Sequence, residues 1–365
     1  MGNAEDMHMT LLNADQKSPF SSKEPTLRTL NFKGEKMKTI KEFICNPLPT
    51  PNCHASTVLP LPDGTVISAW FGGTKEGTGD VNIWYSRRDE NGWTKPEKVS
   101  YNKNLPHWNP VLFLKENGDI VLFFKVGRQI HSWRTFFSIS SDGGKTFTKP
   151  EELVKGDRSD GRGPVKNKCI RLSNGRILAP ASYENNGWNC FVDISDDDGT
   201  TWRKTPKIKT EQAVPMFNRQ NSYTSNLIPM IQPTLWESAP GKVHMLTRTS
   251  VGRAYRSDSD DYGETWCEAY RTELWNNNSG LDVVKTPNGD LYLLSNPVEE
   301  NWGERSPLTL QKSTDNGATW ETVLILEEEK IDSEFSYPAI EYLDNSLYLT
   351  YTYERLNVAF WKIDL

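Results

Sequence analysis

Short runs of alternating apolar residues, each opened by a turn pair, recur along the chain. They read LPDGTVI from Leu61, KENGDIV from Lys115, LSNGRIL from Leu172, APGKVHM from Ala239, PNGDLYL from Pro287 and LDNSLYL from Leu343. A turn pair followed by period-two alternation is the signature of a β-hairpin. A second word runs in phase with the first, Ser-x-Asp-x-Gly-x-Thr closed by Trp or Phe. It is spelled SSDGGKTF from Ser140, SDDDGTTW from Ser195, SDDYGETW from Ser259 and STDNGATW from Ser313, with a degenerate copy in YSRRDENGW at Ser86. Successive copies start 54, 55, 64 and 54 residues apart by subtraction of those positions. Short strands at a period in the fifties predict an all-β fold, a β-propeller of six four-stranded antiparallel blades. Residues 37–365 form this single domain, closed by pairing a strand near residues 37–46 with the last blade's strands near 347–363. The boxes are read as hairpin staples: Asp accepts backbone hydrogen bonds, Gly supplies a permissive dihedral, and the aromatic packs between strands.

Composition narrows the function classes. A net charge of -6 and a pI near 5.6 leave no basic stripe for nucleic acid, and apolar runs such as IVLFF at 120–124 are far too short to cross a bilayer. Residues 1–36 are polar and lack the apolar core of a secretory signal, so a flexible extension and a cytoplasmic location are expected. Without secretion the sequon at Asn277 has no use. Five cysteines with no C-x-x-C pair imply neither a disulfide framework nor a zinc site, and no cofactor is expected. The EEEK run at 327–330 reads as a solvated loop.

A propeller gathers its functional groups on one face, from the loops that lead into each innermost strand and those between the second and third strands. The first set reads NCHAS, PHWNP, PVKNKC, MIQPT, NNNSG and FSYPA, and offers His54, His107, Asn109, Lys166, Lys168, Gln232, Asn278 and Tyr337. The second reads WFGGTKEGTGD, KVGRQIHSWRT, SYENNGWN, TRTSVGR, SNPVEENWGER and YTYERLN, and offers Glu76, Asp80, Tyr183, Arg248, Arg305 and Arg355. Histidines, cations and aromatics converging on one funnel suit a polar carbohydrate with an anionic group, so an acidic glycan is the expected partner. His54 is either an acid or base near neutral pH or a satisfied core histidine. Lys166, Lys168 and Arg162 form either an anion-binding loop or a solvated one. Trp108, Trp133, Trp188 and Trp302 either stack on sugars or pack between blades.

Over residues 45–360 the boxes and blades resemble the sialidase (neuraminidase) superfamily. The resemblance implies that Arg305, in SNPVEENWGERSPLTLQKSTD, and Arg248, in LTRTS, grip the substrate carboxylate from strand ends of adjacent blades. It further implies that Tyr337, in FSYPAIEYLDN, is the nucleophile, and it matches Glu354 in YTYE. The chain departs from the family at three places. His54 stands where the first arginine is expected, Gln232 stands where a glutamate would ionise the tyrosine, and only Glu76 or Asp80 is available for the acid/base aspartate. Three readings follow: an exo-acting hydrolase of a terminal acidic sugar, a polysaccharide lyase with His54 or Tyr337 moving the proton at a uronic acid, and a glycan-binding propeller without catalysis.

Overall fold

The computed structural model describes residues 26–32, 35–99, 104–159, 161–184, 187–210 and 227–365. Its strands form six antiparallel sheets arranged as a six-bladed propeller. Blade 1 is built from Asn52–Pro60, Val66–Gly73 and Asn82–Asp89, with Gly92–Trp93 and Glu97–Val99 as its outer pieces. Blade 2 takes His107–Leu114, Ile120–Val126, Arg134–Ser140 and Glu151–Glu152, and blade 3 takes Ile170–Arg171, Ile177–Glu184, Trp188–Ser195 and Arg203–Lys204. Met230–Ala239, Lys242–Thr249, Arg253–Ser259 and Tyr270–Trp275 make blade 4. Asp282–Lys285, Leu291–Ser295, Leu308–Ser313 and Glu321–Glu327 make blade 5.

Blade 6 is composite. Phe335–Leu343, Ser346–Tyr353 and Asn357–Asp364 come from the C-terminus, and Glu35–Phe43 pairs with the last of them, Thr39 opposite Ile363 and Phe43 opposite Ala359. This is the closure expected from the sequence. Thr26–Phe32 adds a further strand, so the sheet reaches back into the segment read as an extension up to residue 36, while residues 1–25 lie outside the described residues. Glu42 on the closing strand receives two hydrogen bonds from Arg88, both 2.8 Å, and one from Trp93 Nε1 at 2.9 Å, which lock it onto blade 1.

The boxes are staples in the sense expected. In the third, Ser259 Oγ donates to Asp261 Oδ1 at 2.7 Å, and Asp261 also accepts from the Thr265 N–H (2.9 Å) and hydroxyl (2.5 Å). Trp266 Nε1 donates back to Gly263 O at 3.0 Å. Gly263 is left-handed, with φ 81°, and a Cβ there would stand 2.6 Å from Leu178 Cδ1 of blade 3. Glycine is therefore required twice over, for the dihedral and for contact with the preceding blade. All the boxes join third to fourth strands, at the end of the propeller opposite the starts of the inner strands.

Candidate active site where the inner strands begin

Four inner strands begin with the same irregularity. Between Trp108 and Val111, Ile231 and Thr234, Ser336 and Ala339, and His54 and Thr57, two residues oppose one on the neighbouring strand. The first extra residue is left-handed each time: Asn109 φ 44°, Gln232 φ 53°, Tyr337 φ 51° and Ala55 φ 54°. In three of the four the next residue is proline, which lacks the N–H a regular ladder would need, so the sequence itself favours the bulge. Non-glycine residues in this region are strained, and such strain clusters at functional sites.

The bulges bring blades 4 and 6 into contact. Arg248 Nη1 donates to Tyr337 Oη at 2.7 Å and to Gln232 Oε1 at 3.1 Å, while Gln232 Nε2 donates to Tyr337 Oη at 3.3 Å. Arg248 Nε donates to Asn278 Oδ1 at 2.7 Å, and Asn278 is itself held by Asn301 at 2.8 Å. The Arg248 guanidinium lies 5.5 Å from the ring of Trp188 and 5.4 Å from that of Trp302. Arg248 is only 3% exposed, yet all its hydrogen-bond partners among the described residues are neutral oxygens. A buried charge of this kind is costly unless an anion completes it.

A second group closes around the other side of Tyr337. The Arg305 guanidinium is 5.7 Å from the Tyr337 ring, and its Nη1 donates to Glu334 Oε1 at 2.6 Å. Arg305 does not occupy the strand-end position expected from the sequence. It sits in the loop before Leu308–Ser313, bridged to Glu334 of blade 6, because that loop is long enough to fold back over the face. Arg355 Nε donates to the other Glu334 oxygen at 2.8 Å, and Arg355 Nη1 also pairs with Glu76. Two arginines hold the Glu334 carboxyl below the usual range despite its burial. Lys166 reaches under the ring, 6.0 Å from its centroid, donating to Pro338 O and to Leu281 O at 3.3 Å. Burial pushes its pKa down to about 7.

His54 packs against Tyr337, with ring centroids 4.2 Å apart and planes tilted by 49°. Its Nδ1 lies 3.0 Å from Thr352 Oγ1 and 3.7 Å from Glu334 Oε1, and Thr352 Oγ1 also accepts from Ala55 N–H at 3.1 Å. Burial, followed by Arg355, Arg305, Arg248 and Lys166, drives the His54 pKa well below its ordinary value, so the ring is neutral. Arg305 and Arg355 are paired with Glu334 and Glu76, whereas Arg248 forms no ion pair among the described residues.

Other residues singled out in the sequence lie elsewhere. Asp80 is tied into its own loop by Thr74 N–H (2.8 Å), Thr74 Oγ1 (2.7 Å) and Thr78 Oγ1 (2.5 Å), which lower its pKa to about 2. His107 faces Val81 O at 3.1 Å and packs on Phe124, aligned one residue out of step with His54 across the bulges. Lys168 pairs with Asp282 at 3.0 Å and lines, with Glu341 and Tyr342, a cavity of about 420 Å³ at the opposite end of the propeller axis. Tyr183 stacks on Phe191 under Lys204 and Lys207. Arg162 is bidentate to Asp193 at 2.8 and 2.9 Å, a structural clamp rather than an anion site. Trp108 and Trp133 pack together between blades 1 and 2, whereas Trp188 and Trp302 flank Arg248. Glu354 is paired with Lys330 and accepts from Glu334 N–H at 3.1 Å.

Sequence reasoning missed Glu334, Ser336 and Thr352, which orient the arginines and the imidazole. It also missed Ser182 and Glu184. Ser182 Oγ accepts from Gln232 N–H at 3.4 Å and lies 3.5 Å from Glu184 Oε1. Among the described residues no three His, Cys, Asp or Glu side chains form a metal-binding group.

A six-bladed propeller with box staples and a tyrosine set among cations on its axis defines the class, and sequence comparison agrees. Residues 64–349 match the BNR repeat-like domain, and the chain belongs to that family, with the fold of the sialidase superfamily. A structure of a protein of unknown function from Dyadobacter fermentans superposes with a TM-score of 0.66 at 16% identity, over 86% of this chain and 95% of that one. The NanB sialidase of Streptococcus pneumoniae gives 0.65 at 13% identity, covering 87% and 69%. The leech intramolecular trans-sialidase, bound to 2,7-anhydro-Neu5Ac, gives 0.65 at 14% identity, covering 88% and 69%. No curated protein sequence matches the chain.

Proposed function

We propose that the protein is an exo-acting glycoside hydrolase that removes a terminal carboxylate-bearing sugar. The observation that carries this reading is Arg248, a buried guanidinium whose hydrogen-bond partners are neutral, which donates to the Tyr337 hydroxyl while Arg305 lies 5.7 Å from the same ring. An incoming carboxylate supplies the missing anion in charge-assisted hydrogen bonds. The sialidase neighbours bound to 2,7-anhydro-Neu5Ac and to sialic acid hold sugars with such a carboxylate.

In this reading Tyr337 Oη attacks the anomeric carbon as its proton passes to solvent. Arg248 Nη1 and Gln232 Nε2 both donate to that oxygen and stabilise the charge, so Gln232 serves as a donor where the family resemblance implied a proton acceptor. His54 packs against the ring and orients it. Incubation with 4-methylumbelliferyl glycosides of sialic acid and glucuronic acid tests the proposal, the expected result being fluorescence from an acidic glycoside with free sugar as co-product. An ultraviolet-absorbing unsaturated uronate would replace hydrolysis by elimination, and saturable binding without product would make the protein a lectin.

A further inference from the structure

On the hydrolase reading a proton must reach the leaving oxygen, and the carboxylates that the sequence offered for this task are engaged. Asp80 is a loop staple with its pKa lowered to about 2, and Glu76 is paired with Arg355. Glu334 is shared by Arg305 and Arg355, and Glu354 is held by Lys330. Asp80, Glu334 and Glu354 are held below the usual carboxylate range by these partners, and Glu76 is tied up in its ion pair.

Glu184 is different. It ends the strand Ile177–Glu184 directly opposite Trp188, the residue whose ring carries the Arg248 guanidinium. Its neighbour Ser182 touches both Gln232 N–H and the Glu184 carboxyl, so a chain of contacts runs from Tyr337 Oη through Gln232 and Ser182 to Glu184. With Lys125, His131, Trp133, Arg162 and Ser182 it lines a small pocket with room for about one water. Among the described residues no cation forms an ion pair with it. Lys125 donates to Thr135 Oγ1 and Arg162 O, and Arg162 is committed to Asp157 and Asp193.

We infer that Glu184 is the proton donor of the reaction, a carboxylic acid supplied by blade 3. As the Tyr337 oxygen bonds to the anomeric carbon, the exocyclic C–O bond breaks and its electron pair stays on the leaving oxygen, which takes the Glu184 proton. In the second half Glu184 carboxylate takes a proton from water, whose oxygen displaces Tyr337, and the tyrosine regains its proton from solvent. Burial raises the Glu184 pKa, while Arg248 and, more weakly, Ser182 and Lys125 oppose the rise, so the acid form persists above the usual carboxylate range. Activity on a poor leaving group should therefore fall as pH rises through this group.

The test compares methyl and 4-nitrophenyl glycosides of sialic acid with wild type, Glu184→Gln and Glu184→Asp. An alkoxide needs the proton and a nitrophenolate does not. Glu184→Gln should lower kcat/KM on the methyl glycoside by about 10²-fold or more, leave it nearly unchanged on the nitrophenyl glycoside, and erase the basic limb of the pH profile. Azide should restore its kcat on the nitrophenyl substrate, and Glu184→Asp should recover part of the methyl activity. An equal fall on both substrates, or an unchanged basic limb, would assign Glu184 a structural role and overturn this inference alone. If wild type cleaves neither these nor the corresponding glucuronides, the hydrolase reading falls and this inference with it.

Discussion

Arg248 is held by three neutral oxygens from three different residues, and the geometry of that grip is specific to a planar fork. A lysine would keep the charge but reach only one of Gln232, Asn278 and Tyr337. Arg248→Lys should therefore lower kcat/KM on an acidic glycoside by tens-fold, about 2 kcal/mol for a charged hydrogen bond, with little change in melting temperature. Tyr337→Phe should reduce turnover to background while the same variant still binds the acidic sugar, measured by calorimetry. Retained turnover would remove Tyr337 from the chemistry. At this scale the sequence was legible in part. It marked Arg248, Tyr337, Gln232 and His54, because inner-strand starts follow from counting back from hairpins. It favoured Tyr183 over Glu184 in SYENNGWN, and adjacent strand residues point to opposite faces, so a one-residue choice decides between the site and the packing behind it.

Among the structural elements, the boxes and the bulges divide the labour between the two ends of each blade. Asp261→Ala would strand the Thr265 N–H and hydroxyl that Asp261 now accepts from. Stability should drop by about 1–3 kcal/mol, toward the lower end because the group is partly exposed, with activity per folded molecule unchanged. Denaturant melts combined with active-site titration separate the two quantities, and a folded but inactive variant would contradict the assignment. The same interactions set an acid limit. Hydrogen bonds to Asp142, Asp197 and Asp315 lower their pKa values from 3.8 to about 2. A depressed carboxylate contributes stability that is full above its unfolded pKa and lost as pH falls through the folded one. Melting temperature should therefore decline between about pH 4 and pH 2, and by less in a variant with these aspartates changed to Asn. The bulges were not foreseen in the sequence, although X-Pro at Asn109-Pro110, Gln232-Pro233 and Tyr337-Pro338 is the local signal that could have shown them.

For the whole molecule, a chain of net charge -6 gathers three arginines around Tyr337, so an anionic substrate is repelled in general and attracted at one point. Raising salt from 10 to 200 mM should increase KM for an acidic glycoside several-fold with little effect on kcat, because surface fields are screened more than buried contacts. Closure is the other global property. Removing residues 1–43 would leave the Asn357–Asp364 edge unpaired and take away the Glu42 anchor of Arg88 and Trp93. Scanning calorimetry should then show the midpoint lowered by more than about 5 °C, and an unchanged midpoint would mean that blade 6 is stable without its N-terminal strand. What the sequence alone determined was the blade count, the hairpins and the closing strand, since turn chemistry and strand alternation are local and repeat at a readable period. Only the tertiary structure decided which side chains meet. Tyr337, Gln232, Asn278, Arg305 and Glu334 come from three blades, and their distances depend on how strained bulges and long loops turn each strand toward the axis, which no local pattern encodes.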